Sequence, residues 1–283
     1  MIFFNQGKLP YPTYHMNNTA YLIYNKSALL PPAPVRHAFN FTDDIDYAPQ
    51  DSQPLLTPVD HQIVFNLTQQ NISHSSYTQQ RFVINNETYL PSLVPSLYSA
   101  LSLPRLASNV SIYGDTHPIY LKYNDVVEII INNQHTNLHP IHIHGHQFQS
   151  LERTDVKGGN WTGKPKKAWL PSPMRRDTIM VQNEGYAVIR FRADNPGIWL
   201  LHCHIEWHVQ SGMMATLIEA PERLNPEVRV PYNHIKTCQK QGIPIYGNSL
   251  GQVRDATKAQ DFFVPKEDHG ALYPATPGEL DHT

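Results

Sequence analysis

His202, Cys203 and His204 stand side by side, with His208 five residues after the cysteine and Met213 ten after it. One thiolate, imidazoles and a thioether at these offsets form the ligand set of an electron-transfer copper, because a lone soft sulfur with two imidazoles suits that metal. In an extended segment successive side chains point to opposite faces, so Cys203 points one way and His202 and His204 the other. A metal held by Cys203 is thereby joined, through two neighbouring backbones, to whatever the flanking imidazoles bind. A storage or structural metal has no need of such wiring.

A second histidine-rich run, His139-Pro140-Ile141-His142-Ile143-His144-Gly145-His146, lies upstream. The same parity puts His142 and His144 on one face and His139 on the other. Two sites follow. His139, Cys203 and His208, with Met213 as a weak axial ligand, would hold a single copper. His142, His144, His202 and His204 would serve a second metal site, and His146 falls on their face by parity.

Bulk properties narrow the class. The chain has 283 residues and a formal net charge of -2, which gives no electrostatic case for binding nucleic acid or an anionic membrane. Hydrophobic residues make up 40%, charged ones 16%, and 24 prolines stand against 14 glycines, the profile of a β-rich, loop-rich secreted protein. No apolar run approaches the roughly 20 residues that span a bilayer. Asn-X-Ser/Thr occurs at Asn17, Asn25, Asn40, Asn66, Asn71, Asn86, Asn109 and Asn160, which predicts a secreted or cell-wall glycoprotein. Met1-Ile2-Phe3-Phe4 runs at once into polar residues and is not a signal peptide, so the expectation is a secreted chain that has lost its front end. If Cys203 holds copper, Cys238 is the odd cysteine, and its expected partner lies outside the chain.

The elements that must position these residues are strands. Short β-branched and aromatic runs between turn residues predict strands over 61–67, 80–84, 118–122, 126–132, 139–149, 178–181, 186–192, 197–204 and 213–219. Their regular spacing, without long helical periodicity, indicates an all-β Greek-key sandwich or barrel over residues 59–231. Residues 1–30 hold one strand-like run, Ala20–Tyr24, and 31–58 read as a proline-rich, acidic linker. Residues 232–283 read as an irregular tail. Ile198-Trp199-Leu200-Leu201 would seat Cys203 in a dry core.

The runs HPIHIHGHQF (139–148) and NPGIWLLHCHIEWHVQSGM (195–213), with Pro173–Thr178 and Ile112–Asp115, resemble the third cupredoxin domain of the multicopper oxidases. The pattern is most like the fungal laccase and iron-uptake ferroxidase branch and covers roughly Asn17 to Gly251. The resemblance implies a cupredoxin-like fold and copper as cofactor. It implies type 1 copper on His139, Cys203, His208 and axial Met213, type 2 copper on His142, and the type 3 pair on His144, His202 and His204. Glu206 matches a carboxylate that relays protons. In such enzymes electrons from a small reducing substrate pass along the Cys–His backbone to a trinuclear cluster that reduces O2 to water. An axial thioether stabilises the cupric form and lowers the potential, which suits phenols, ascorbate-like reductants or metal ions. His146 is then expected to support the cluster without ligating it.

Two departures shape the expectation. The family takes half of its cluster histidines from two further His-X-His pairs in the first domain, and every such pair here is already used. The other histidines (His15, His37, His61, His74, His117, His135, His234, His269 and His282) stand singly and read as surface or loop residues. The chain is therefore expected to comprise the end of domain 2 (1–30), a linker (31–58), domain 3 (59–231) and a tail (232–283). It would lack domains 1–2 as partners and be inactive alone. Second, iron-uptake ferroxidases resemble each other in having a carboxylate about four residues before the first motif histidine, and His135 stands there instead. Laccase-type oxidation of phenols is accordingly expected ahead of Fe(II) oxidation. A stand-alone single-copper electron carrier would leave four histidines unexplained, and a self-assembling homo-oligomer would need a second His-X-His source.

Overall fold

The structure, a computed structural model, describes residues 24–27, 29, 43–73, 78–224 and 228–258. A compact unit runs from Asp43 to Val264. Among the described residues it holds strands β1 (His61–Ser73), β2 (Thr78–Ile84), β3 (Pro118–Leu121), β4 (Val126–Asn133), β5 (His139–Ile143), β6 (Phe148–Arg153), β7 (Arg175–Arg176), β8 (Thr178–Val181), β9 (Tyr186–Arg192), β10 (Gly197–Cys203) and β11 (Met214–Glu219). Helices α1 (Ser96–Ser102), α2 (Glu206–Gln210) and α3 (Tyr232–Lys240) join them. The strands form a six-stranded sheet, β2-β1-β4-β9-β6-β7, and a five-stranded sheet, β3-β11-β10-β5-β8.

The core between the sheets follows from strand alternation. Phe65, Leu67, Ile129, Ile131, Phe148, Ile189 and Phe191 from the first sheet meet Ile141, Ile143, Ile179, Val181, Leu201, Cys203 and Leu217 from the second. The copper-type cysteine is thus a core residue. The opposite side of the first sheet is also covered: Ile130, Leu151, Tyr186 and Val188 pack with Leu55, Trp161 and Trp169. This explains why β4 is apolar along most of its length. Its charged residue, Glu128, pairs across the ladder with Arg190 of β9 at 2.5 Å, both nearly fully buried. A buried charge of this kind is tolerated only when paired.

Several expectations shift. The 139–149 run is two strands, because Gly145 turns the chain at φ +74°, where a Cβ would come within 2.5 Å of the Trp199 ring. Within Ile198-Trp199-Leu200-Leu201 only Leu201 is fully buried; Trp199 packs partly buried against the same core and Ile198 against a second cluster. The dry surroundings of Cys203 come instead from Ile141, Ile143, Ala215 and Met213 in the same cluster. Residues 43–58, expected as linker, pack onto the sheet. Leu55 N–H donates to Pro171 O at 2.8 Å, Leu56 N–H donates to Gln149 Oε1 at 2.9 Å, and Arg153 donates to Asp43 and Asp44. The expected irregular tail contains α3, whose Cys238 and Ile235 pack with Val94 and Tyr98. Contacts so distant in sequence leave no local periodic signal. The run Ala20–Tyr24 lies almost wholly outside the described residues.

Candidate metal centre

Four elements converge on the first site. His139 opens β5, Cys203 closes β10, His208 sits on α2 and Met213 immediately precedes β11. Antiparallel pairing of β5 with β10 aligns Cys203 with Ile141 and His202 with His142. His139, Cys203, His208 and Met213 are all essentially inaccessible to solvent. His139 Nδ1 lies 3.1 Å from His208 Nδ1, and Cys203 Sγ lies 3.2 Å from the latter and 3.7 Å from the former. Cys203 N–H donates to the Met213 carbonyl at 3.2 Å and Met213 N–H to that of His208 at 3.0 Å, so the axial candidate is tied by backbone to two ligands.

Burial sets the protonation of these ligand candidates. Burial, then the neighbouring His208 and His135, pushes the His139 imidazole down to about 3; burial, then His135, pushes His208 down to about 4. Both rings are neutral at physiological pH and offer lone pairs. Burial pushes the Cys203 thiol up to about 11, against a smaller opposing hydrogen bond from the Ile205 backbone. A coordinated cation inverts that preference and holds the thiolate. Two neutral imidazoles and a soft sulfur, with Met213 in the same buried cluster, fit copper. Phe82 of β2 closes the site, its ring 4.4 Å from His208 and 5.6 Å from His139 between centroids. Sequence reading missed it; an aromatic in a predicted strand gives no hint of which site it walls.

The second site lies on the opposite face. His202 is buried, His142 half-buried, and His144 and His204 exposed. His144 Nε2 lies 3.0 Å from His202 Nε2, and the His204 ring lies 5.6 Å from those of both His142 and His202. Candidate ligand atoms of His142, His144 and His202 all fall within 4.8 Å of one another. Backbone carbonyls fix two tautomers: His142 Nδ1–H donates to Asp177 O at 2.8 Å and His202 Nδ1–H to Cys203 O at 2.7 Å. Each Nε2 is left with its lone pair, as a metal requires. Burial and the surrounding imidazoles lower the His144 pKa; burial chiefly lowers that of His202. Glu206, at the start of α2, is exposed and near enough to His202 to favour its charged form weakly.

Other histidines are less solitary than expected. His146 makes its strong contact away from the exposed rings, its Nε2 2.6 Å from Glu219 Oε2 in a buried pair. Gly145 ends the strand's alternation, so parity no longer governs His146. Glu219 also accepts from Asn195 N–H at 2.7 Å. His135 approaches His139, His117 Nδ1–H donates to the Met214 carbonyl at 2.9 Å, and His234 contacts Tyr98 OH at 2.8 Å. His61 lines a cavity of about 390 Å³ beside β1 and β3. His15, His37, His74, His269 and His282 lie outside the described residues. Cys238 is a free, buried thiol.

Two packed sheets with a Cys–His site in the core and an imidazole set on the flanking face define a cupredoxin domain of multicopper-oxidase type. The multicopper oxidase sequence profile matches residues 57–223. The chain belongs to that family of copper oxidoreductases that use O2. It is 37% identical over 247 residues to the iron transport multicopper oxidase FET3 of Gibberella zeae, covering 86% of this chain and 39% of that protein. In structure it is similar to Fet3p, a multicopper oxidase that functions in iron import, at TM-score 0.73 and 34% identity, over 83% of this chain and 46% of that one. The laccase from Botrytis aclada follows at TM-score 0.54 and 26% identity, over 77% and 40%. The chain thus spans 39–46% of the length of these relatives. The iron-transport likeness runs against the expectation that laccase-type chemistry comes first. His135 had argued for it, yet one position weighs less than 37% identity across most of the chain.

Proposed function

We propose that this chain is the type 1 copper portion of a multicopper oxidase whose reducing substrate is Fe(II). The observation that carries the reading is Cys203, whose sulfur faces His139 and His208 inside the core while His202 and His204 face the imidazoles of His142 and His144 outside. His139, Cys203 and His208 would hold type 1 copper with Met213 axial, His142 type 2 copper, and His144, His202 and His204 the type 3 pair. Bound copper supplies one-electron redox chemistry at the first site and dioxygen reduction at the second. Cys203 provides the covalent path between the two faces. The buried apolar shell excludes water from the sulfur, and the carbonyls of Asp177 and Cys203 hold His142 and His202 in ligating tautomers. Glu206, exposed at the start of α2, would pass protons toward the outer face, as the resemblance implies. The donor assignment rests on the iron-transport relatives. Exposed sequons at Asn71, Asn86, Asn109 and Asn160 support a secreted glycoprotein.

The test is anaerobic. After copper loading, the 283-residue chain should develop an intense blue band, and one equivalent of Fe(II) per type 1 site should bleach it. A phenol should bleach it far more slowly. Fe(II) leaving the band intact while a phenol removes it would reverse the donor assignment; no band at all would defeat the type 1 site. Oxygen uptake by this chain alone should be negligible, because its four outer imidazoles are only half of the set that the resemblance implies.

A further inference from the structure

His139 presents Nδ1 to Cys203 and His208, and its other nitrogen, Nε2, lies 3.2 Å from Nδ1 of His135. The ring planes are inclined by 29° with centroids 5.3 Å apart, and their near approach is between these nitrogens. A hydrogen bond between neutral imidazoles needs one donor and one acceptor. The backbone settles which is which. Asn137 N–H also points at His135 Nδ1, at 3.4 Å, and an amide N–H can only donate. His135 Nδ1 is therefore the acceptor and carries no proton. The proton between the rings belongs to His139 Nε2, which leaves a lone pair on His139 Nδ1, the atom that faces the sulfur.

His135 is held in turn. Its N–H donates to Asn133 Oδ1 at 3.0 Å. Asn133 is fully buried, and its Nδ2 donates to the carbonyls of Asn137 at 2.8 Å and Gln182 at 2.9 Å. By contrast, His208 Nε2 is buried without a hydrogen-bond partner among the described residues. His208 is oriented through His139, whose Nδ1 faces its Nδ1 at 3.1 Å.

We propose that His135 is the positioning residue that locks His139 in its metal-ligating tautomer, with the 133–137 turn preorganised to hold it there. The inference rests on reading His139 as a type 1 ligand. It also bears on the donor. With Nδ1 engaged inward, the proton of His135 sits on Nε2, which offers a hydrogen bond and no lone pair. A ferrous ion cannot coordinate that nitrogen while the bond to His139 holds, whereas an oxygen of a chelated or anionic donor can accept from it.

Two measurements on the full chain decide it. In the metal-free, histidine-15N-labelled protein at neutral pH, long-range proton–nitrogen correlations should show both His139 and His135 protonated on Nε2. A proton on Nδ1 of His139 would overturn the proposal. Second, His135→Leu removes the acceptor at similar volume, and His135→Gln restores one. His135→Leu should weaken copper binding, followed by competition titration of the blue band, about 10–100-fold, the usual effect of losing a partner behind a ligand. His135→Gln should recover most of the loss. Parental affinity in His135→Leu would defeat the proposal. If His135→Leu fails to fold, the nitrogen spectra of the unmutated protein decide between the two tautomers on their own. A parent chain that binds copper without a blue band would refute the type 1 reading instead, with the tautomer still read independently.

Discussion

Glu219→Ala should be among the most damaging substitutions outside the metal ligands. The carboxylate closes β11 fully buried, accepting from His146 Nε2 at 2.6 Å and from Asn195 N–H at 2.7 Å. It joins the loop after β5, the turn before β10 and the end of β11, the three strands around both sites. Truncation leaves the buried His146 Nε2 without its partner, at about 1–3 kcal/mol, while the N–H of the exposed Asn195 can turn to water. A loss of roughly 2 kcal/mol is expected. For a domain of this size that corresponds to a fall of about 4–8 °C in Tm. Glu219→Gln keeps an acceptor for Asn195 and should lose well under half as much. The assay is thermal unfolding of the metal-free chain by far-UV circular dichroism, followed by copper titration of folded protein at low temperature. A melt for Glu219→Ala within about 2 °C of the parent would refute the reasoning, because the buried His146 would then need no partner.

Cys203→Ser should abolish the blue band while leaving the metal-free fold intact by circular dichroism; surviving colour would remove the thiolate from the site. Met213→Leu should keep the band and raise the reduction potential, read by spectroelectrochemistry, since a thioether stabilises the cupric form; an unchanged potential would make Met213 a packing residue only. Asp44 is partly desolvated, which opposes ionisation, but Arg153 and Arg176 beside it prevail and hold its carboxyl below 3.8. Its contribution to stability is therefore present above that value and lost as the pH falls through the lower folded value. Asp44→Asn should cost less than about 1 kcal/mol at pH 7, because the pair is partly exposed and solvent-screened, and nothing at strongly acidic pH. Urea titrations at the two pH values test it, and an equal cost at both would contradict the ion-pair origin.

What could be read from the chain and what could not divide along one physical line. Features set by alternation were legible: β8 and β9 have the expected bounds, and the opposed faces of Cys203 and His202 follow from period two. Features set by contacts between distant segments were not. His135 looked like one more loop histidine because its partner depends on the turn at Asn133 and Asn137. Glu219 ended a strand as many glutamates do, and its partners lie 73 and 24 residues away. Helix α3 was read as tail because its apolar residues find their cover at Val94 and Tyr98.

The two sites also depend on a single register. β5 and β10 each contribute to both: His139 and Cys203 inward, His142 and His202 outward, with Cys203 opposite Ile141 and His202 opposite His142. Moving either strand by one residue would reverse every side chain on it, placing imidazoles in the core and the thiol in solvent. What holds the register is ordinary packing. Ile141, Ile143 and Leu201 occupy the same buried face as Cys203, and a slip would expose all three at about 1.5–3 kcal/mol each. The apolar residues between the proposed ligands thus matter as much to the two proposed sites as the ligands themselves, since they decide which face each one takes.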